Sequence, residues 1–489
     1  MSEAHDIIVV GSGPASAVFL HAWLERAGKD ARALVLEKGP MRTHAWRMQG
    51  DEDRLLDGST PAVTNPHSRD KPWKFALAVG GTSSLWWGCT PRFLPEDFEL
   101  KRRYGVGRDW PLGYDELEPH YGEVEAIFQV AGDSEDTPFR RSTPYPLAAH
   151  RFTEPERILK KAWPDHFFRQ PCARPTRALP AGPLNVARPK CCANGVCGRC
   201  PIDSKFTVLN GLAKIFEDPR VELRTGCAVQ AVETTGGVAT GVRYVEQDWP
   251  EGAKGRERLA KAELVALGAN ALFNPHILLR SGLRGSAVGR GLSEQASIRV
   301  VVHLDGVDNF QGSTSVTGHG YMLYGGEHRR ERAAGLIETW NVPRLRPTPG
   351  KLLQVMASQF IYEDLPRDEN RVILDPADPS KPKVSWSGRS EYAEASLARV
   401  REDAEKAFAP LPIDDIWLQD EGKVRDTEGH ILGSTRMGTD PADSVVDREL
   451  KHHQVRNLLV LGGSVFPTVS PSNPTLTIGA LSRWAAAHL

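Results

Sequence analysis

Four of the seven cysteines fall inside residues 191–200, in the run Cys191-Cys192-x4-Cys197-x2-Cys200, with Pro201 next. Closely spaced thiolates are ligands for soft metals, and three chemistries compete for them. Four thiolates can hold zinc, although structural zinc sites usually draw on two separated pairs. Disulfides are the second reading, and a reducing compartment disfavours them. An iron–sulfur cluster is the third: it takes close-set thiolates on a loop, commonly with a proline after the last. Cys191, Cys192, Cys197 and Cys200 are the candidate ligands for either metal centre. Cys89, Cys172 and Cys227 stand apart in the sequence and read as ordinary buried thiols.

A second set of residues suits a pyrophosphate. Gly11 and Gly13, in Gly11-Ser12-Gly13-Pro14-Ala15-Ser16, allow a tight turn and a close backbone approach at a helix N-terminus. Ser16 stands where the fingerprint has its third small residue. Glu37 stands where a carboxylate accepts ribose hydroxyls and repels a 2′-phosphate. Alone the turn is a weak motif; its order of strand, turn, helix and acid is what favours a dinucleotide.

The elements that must position these groups are legible in outline. Residues 6–10 (DIIVV) read as a buried strand, followed by a helix through Leu24 and a second strand at 33–36. Residues 40–75 read as long polar loops, and short strands are expected at 221–224 and 263–266. Between 299 and 386 the runs RVVVHL, LLQVMASQFIY, NRVIL and KVSW alternate with turn residues. That pattern predicts an antiparallel sheet and hence a second domain. A helix is expected over 391–408, a last strand at 457–461, and a closing helix after it.

Composition narrows the classes. At 489 residues the chain is long enough for two domains. Lys plus Arg number 61 against 62 Asp plus Glu, a net charge of −1, so no broad footprint for nucleic acid or anionic membrane is present. Hydrophobic residues at 40% and charged residues at 25% describe a globular chain. No apolar run has the length of a membrane span. Glu3, His5 and Asp6 lead directly into the first strand with no signal peptide visible, so a cytoplasmic location is expected.

Further segments carry a family resemblance. Gly80-Gly81-Thr82-Ser83-Ser84, GANALFNP at 268–275, HILGSTRMG at 430–438, Ser464-Val465-Phe466-Pro467-Thr468 and Asn473-Pro474-Thr475 resemble the glucose–methanol–choline (GMC) oxidoreductases, which bind FAD and oxidise alcohols or sugars. The resemblance runs from the N-terminal turn to the tail. It implies an α/β FAD-binding Rossmann-like domain built from 1–95, 186–298 and 441–489, with the cysteine loop inserted. It also implies a substrate domain with an antiparallel β-sheet, made with connecting segments from 96–185 and 299–440. By resemblance Gly11, Gly13, Ser16 and Glu37 hold the ADP half, and Val229 meets the adenine. Gly80, Gly81, Thr82 and Ser83 line the flavin, and Gly463, Ser464, Asn473, Pro474 and Thr475 close over its ring. Leu85 stands where some relatives carry a histidine linked to the flavin, which implies non-covalent FAD. Gly462 stands where many carry Asp, at the cost of one expected flavin contact.

The paired cysteines resemble the loop that holds a [3Fe–4S] cluster in bacterial membrane-linked sugar dehydrogenases of this family. That implies Cys191, Cys192 and Cys197 as ligands; Cys200 as a fourth would make [4Fe–4S] possible. It further implies an electron-acceptor protein or small subunit as partner. Those dehydrogenases are exported with a signal-bearing escort subunit, so a periplasmic location would follow only through such a partner.

Oxidising a hydroxyl requires hydride transfer to the flavin and a base for the proton. Fifteen histidines are present, and the resemblance singles out His430 beside the flavin. It makes Asn473 the second member of a His/Asn pair, and the stretch 467–477 contains no histidine. The expected function is an FAD-dependent dehydrogenase acting on a sugar, polyol or amino-sugar glycoside, with His430 as base and electrons leaving through the cluster. An O₂-using oxidase with structural cysteines, and a lyase that keeps FAD only structurally, are the alternatives. Trp340 and Tyr321 are candidates to stack on a sugar, with the loops at 40–75 also lining the pocket.

Overall fold

The computed structural model describes residues 4–49, 55, 61–246 and 255–489. Parts of the 40–75 loops, and Glu3, lie outside these residues. In chain order the elements used below begin with β1 (Ala4–Val10), α1 (Pro14–Leu24), β2 (Ala33–Leu36), α2 (Tyr114–Phe128) and β3 (Phe167–Arg169). Then come β4 (Val221–Arg224), β5 (Cys227–Thr235), β6 (Val238–Glu246), β7 (Arg256–Leu267) and α3 (Asn270–Arg280). β8 (Ala296–Leu304), β9 (Val316–Gly320), β10 (Gly335–Trp340), β11 (Val355–Tyr362) and β12 (Ile413–Leu418) follow. β13 (Lys451–His452), β14 (Val455–Val460) and α4 (Thr475–Ala487) complete the set.

The apolar runs at Ile7–Val10 and in β2 are buried on both faces, as parallel strands covered by helices must be. β1 pairs in parallel with β2 and β7, and the sheet continues in the order β13-β14-β7-β1-β2-β4. β5 and β6 form an antiparallel extension on β7. α1 and α4 pack together, with Leu20, Leu476 and Leu481 in the same core as the sheet. The expected strand at 263–266 is the end of the longer β7, and β5 and β6 were not foreseen because their half-exposed faces break the apolar pattern.

The second sheet is wholly antiparallel, in the order β12-β8-β11-β10-β9-β3. Its two faces differ sharply. Ile298, Val300, Val302, Ile337, Met356 and Phe360 fill a core beneath two helices, Glu391–Leu397 and Val400–Phe408. The opposite face carries Arg299, Gln359 and Glu338, which stand opposite one another across β8, β11 and β10.

Two expectations need correction. NRVIL and KVSW do contain strands, Arg371–Leu374 and Pro382–Ser385, but these pair with each other and bridge to Arg290 and Thr64 rather than joining the large sheet. Val372 and Val384 bury their faces against Trp73, Phe75 and Leu272, away from the large sheet. The single helix expected over 391–408 is two helices: Arg399 (φ −105°, ψ 3°) interrupts the helical run, and Ser396 Oγ donates to the Ala333 carbonyl beside the break.

Candidate active site

A cavity of about 590 Å³ runs from the β1–α1 turn to the polar face of the second sheet. Its near end is a phosphate cradle. Gly11 holds φ +85°, and a Cβ there would stand 2.7 Å from the Gly268 carbonyl oxygen, so only glycine fits. α1 begins at Gly13 with no side-chain cap and no acidic residue in its first turn, which leaves its N–H groups and dipole open to an anion. Glu37 accepts from Ser12 N–H (3.0 Å), Ser12 Oγ–H (2.6 Å) and Gly39 N–H (2.7 Å). Burial still pushes its carboxyl above the usual range.

Most of the expected cofactor residues line this cavity: Gly11, Gly13, Glu37, Gly81, Thr82, Ser83, Val229, Gly463, Pro474 and Thr475. Ser16, Gly80 and Ser464 do not. Ser16 packs against Gly268, where an added Cβ would meet its hydroxyl, so its small size serves the helix–strand contact. Gly80 N–H donates to Ser12 Oγ, and Ser464 Oγ accepts from Asn274 Nδ2. These three brace the cradle from behind. Cavity size, the open helix terminus and the buried acid together fit a dinucleotide such as FAD.

The far end holds His430 and Asn473, brought together from segments 43 residues apart in the chain. Gln295, which the sequence did not single out, sets the histidine's tautomer. Its Nε2 donates to the carbonyls of Ser470 (2.6 Å) and Ser472 (2.8 Å), so its Oε1 must face His430 Nδ1. An amide oxygen only accepts, so Nδ1 carries the proton and Nε2 keeps the lone pair. Burial lowers the His430 pKa, while the charges of Glu294 and Glu338 pull it back up.

Glu294 fixes the backbone that carries this histidine. Its Oε1 accepts from Thr427 Oγ (2.7 Å), Glu428 N–H (2.9 Å) and His430 N–H (3.0 Å), and its Oε2 pairs with Lys71. Despite burial, the Lys71 charge and these donors hold Glu294 below the usual carboxylate range. Glu428 hydrogen-bonds Ser297 and Gln359 and lies 3.1 Å from Arg425 Nε; burial raises its pKa to about 7.

Glu338 stands 3.4 Å from His319 Nε2 and beside Asn473. Burial works against its charge, yet His319, Asn473 and His430 together hold its pKa below the usual value. Sequence reasoning missed Glu294, Gln295, Glu338 and Arg299 because each is a single polar residue in an apolar or irregular stretch. Of the two proposed stacking aromatics, Trp340 lines the cavity, stacked with Trp87 and contacted by the Arg299 guanidinium. Tyr321 instead belongs to a buried cluster with Phe139, Phe168 and Tyr324. From the 40–75 loops, Lys74 and Phe75 line the cavity.

The cysteine loop abuts the cavity, since Gly198 and Arg199 line it and a Cβ on Gly198 would lie 3.4 Å from the Leu85 carbonyl oxygen. The structure does not gather the four expected ligands into one cage. Among the described residues, no three Cys, His, Asp or Glu side chains are grouped to hold a metal ion. Cys191 and Cys197 turn inward to the hydroxyls of Thr314 and Ser315, Cys200 is half-buried, and Cys192 faces solvent. Burial pushes the Cys191 and Cys197 thiols up, against the pull of the nearby Arg174 charge. Buried Arg174 donates to Trp87 O, Gln170 Oε1 and Val316 O, and buried Lys205 donates to Ser84 O and Trp86 O. Neither cation has a carboxylate among these partners, and the Lys205 pKa is lowered to about 7, burial being the main cause. Cys89, Cys172 and Cys227 are buried thiols. Among the described residues no helix is long and apolar enough to cross a membrane.

Comparison with known proteins agrees with this architecture. The chain is 27% identical to the fructose dehydrogenase large subunit of Gluconobacter japonicus, over 98% of this chain and 97% of that one. It is 25% identical to the 6'''-hydroxyparomomycin C oxidase of Streptomyces lividus, over 99% and 92%. A crystal structure of pyridoxine 4-oxidase from Mesorbium loti superposes with a TM-score of 0.65 at 16% identity, covering 99% of each chain, and so shares the fold. The N-terminal GMC oxidoreductase pattern matches residues 5–297 and the C-terminal pattern matches 366–482. The chain therefore belongs to the GMC oxidoreductase family, as an FAD-binding oxidoreductase that acts on CH–OH groups.

Proposed function

We propose that this enzyme oxidises a hydroxyl of a sugar, polyol or amino-sugar glycoside, with His430 as the base. The observation that carries this reading is the His430 tautomer: its Nε2 lone pair belongs to a cavity that begins at a dinucleotide cradle. Bound FAD supplies the hydride acceptor. His430 Nε2 takes the hydroxyl proton, and Gln295 Oε1 then accepts from an imidazolium Nδ1–H. Asn473 orients the substrate oxygen. The open N-terminus of α4, at Pro474 and Thr475, adds a positive pole beside the same end of the cavity. The names of the relatives, a fructose dehydrogenase subunit and an aminoglycoside oxidase, support a sugar-like substrate.

The electron exit is the finer part of the reading. Arg174 and Lys205, buried with no carboxylate among their hydrogen-bond partners, are counter-charges for a thiolate-bound iron–sulfur cluster on residues 191–200, with Asp203 also acting on Lys205. Such a cluster, held by Cys191, Cys192 and Cys197 with Cys200 as a possible fourth, would give a dehydrogenase that passes electrons to a partner protein. An O₂-using oxidase with structural cysteines is the second reading, favoured by the absence of a formed thiol cage among the described residues.

Anaerobic mixing of the FAD-loaded enzyme with D-fructose, D-glucose and paromamine tests the first part. Bleaching of the flavin by at least one of them is expected; no bleaching by any would remove the oxidation reading. Iron and acid-labile sulfide per flavin, measured on anaerobically purified protein, test the second. Three or four irons per FAD support the cluster, and none, with stoichiometric peroxide in air, establishes the oxidase.

A further inference from the structure

The polar face of the second sheet adds further polar atoms to the end of the cavity that holds His430 and Asn473. Arg299, Gln359 and Glu338 occupy one register row across three adjacent strands. With strands about 4.8 Å apart, that row spans about 10 Å of backbone, comparable to a substituted six-membered ring. Four buried atoms in these walls make no hydrogen bond: Asn473 Oδ1, Arg299 Nε, Trp340 Nε1 and Glu338 Oε1, the last with a contact of 3.4 Å to His319 Nε2. All four residues line the cavity. Two of these atoms accept and two donate, and buried polar atoms left unpaired are costly.

We infer that this row is the recognition floor for a polyhydroxylated ring, with Glu338 and Arg299 as its specificity-determining residues. The inference rests on the proposed oxidation of a hydroxyl in this cavity and specifies what else the substrate must carry. A hydroxyl donates and accepts at once, so adjacent hydroxyls satisfy a carboxylate and a guanidinium in series. Gln359 stands between the two residues, with its amide nitrogen engaged by Ser297 Oγ and Glu428. The Arg299 guanidinium is steadied over the Trp340 ring, 4.9 Å from its centroid. A monohydric alcohol supplies only the reacting hydroxyl and leaves the floor unpaired. Sites built in this way reject the deoxygenated analogue by large factors, because the site's own groups lose their partners.

Anaerobic titration of the FAD-loaded enzyme with D-fructose, D-glucose, paromamine and cyclohexanol tests this, using the flavin band shift for affinity and bleaching for turnover. At least one polyol is expected to bind roughly 100-fold more tightly than cyclohexanol. Glu338→Gln and Arg299→Met should each weaken that polyol about 10-fold or more while leaving cyclohexanol affinity within about threefold. Cyclohexanol binding as tightly as the polyols overturns the inference. So does a Glu338→Gln enzyme that bleaches slowly at unchanged affinity, which would make Glu338 a positioning partner of Asn473. Band shifts without bleaching would leave the floor standing and remove the oxidation reading. Bleaching with unchanged affinity in both variants would do the reverse, and polyols that neither shift nor bleach would remove both.

Discussion

Gln295→Leu is the substitution that most directly tests how His430 is made a base. The leucine keeps the bulk and removes the acceptor that fixes the Nδ1–H tautomer, together with the donor to Ser470 O and Ser472 O. In the resting enzyme the lost bond joins two neutral groups and contributes about 1 kcal/mol. Once His430 holds the substrate proton, the same bond has a cationic donor and contributes about 1.5–3 kcal/mol. The difference, about 0.5–2 kcal/mol, acts only as proton transfer proceeds, so flavin reduction should slow about 2–30-fold. Rings that turn over to the Nε2–H tautomer cannot accept the proton, and this adds to the loss. Because the lost bond favoured the imidazolium, the His430 pKa should fall further. The acid limb of kcat/KM, already expected below 6.5 from burial, should then move to lower pH by about one unit. Stopped-flow bleaching across pH 4–8 reads both effects. An unchanged rate, or an acid limb that moves upward, would refute the tautomer argument.

His430→Ala should lower kcat/KM by about 10²–10⁴ while FAD content stays that of the wild type, as measured by flavin absorbance per protein. Lys71→Met leaves Glu294 buried without its cation and should destabilise the fold by about 3–5 kcal/mol, seen in the denaturant midpoint at pH 7. Glu294 has a folded pKa below its unfolded value, so its contribution is present above about pH 4.3 and lost as pH falls through the folded value. The gap between variant and wild type should therefore narrow in acid. Gly13→Ala meets no protein atom within 4 Å and should keep the apo-protein's Tm while weakening FAD about 10-fold or more. Gly11→Ala, strained at φ +85° and crowded by Gly268, should lower both Tm and FAD content.

How far the sequence predicts the molecule depends on whether a feature is local or spatial. The strand–turn–helix at 6–24 and the runs at 299–304 and 355–362 are local apolar patterns, and their elements form. NRVIL and KVSW are equally strand-like, but no local pattern states which sheet a strand joins. His430 and Asn473 could be named because they sit in recognisable segments. Glu338 sits in GLIETW, a run whose six residues are all buried, and nothing in its neighbours marks its side chain as facing a cavity. Gln295 and Glu294 lie at the entrance to β8, and their roles depend on segments more than 130 residues further along the chain. The cysteine loop shows the opposite limit: its spacing is plain, yet spacing alone does not make the sulfurs converge.

The chemistry of this site is concentrated in two short segments that run side by side. Ser293 and Leu432 exchange backbone hydrogen bonds, and Arg425 N–H donates to the Ser297 carbonyl, so 293–299 and 425–432 are antiparallel neighbours. Along the first, Glu294 holds the backbone of the base and Gln295 sets its tautomer. Ser297 then holds Glu428, and Arg299 begins the register row toward Glu338. Base and recognition floor therefore share one rigid stretch of chain. A shift that moved the floor to suit a different ring would also move the acceptor that keeps His430 Nε2 basic. Changes of substrate are thus more economically made at Gln359, on β11, than at Arg299. Substitutions at Gln359 should alter affinity with little change in the pH limb, whereas changes at Glu338, whose charge raises the His430 pKa, and within 294–299 should move both together.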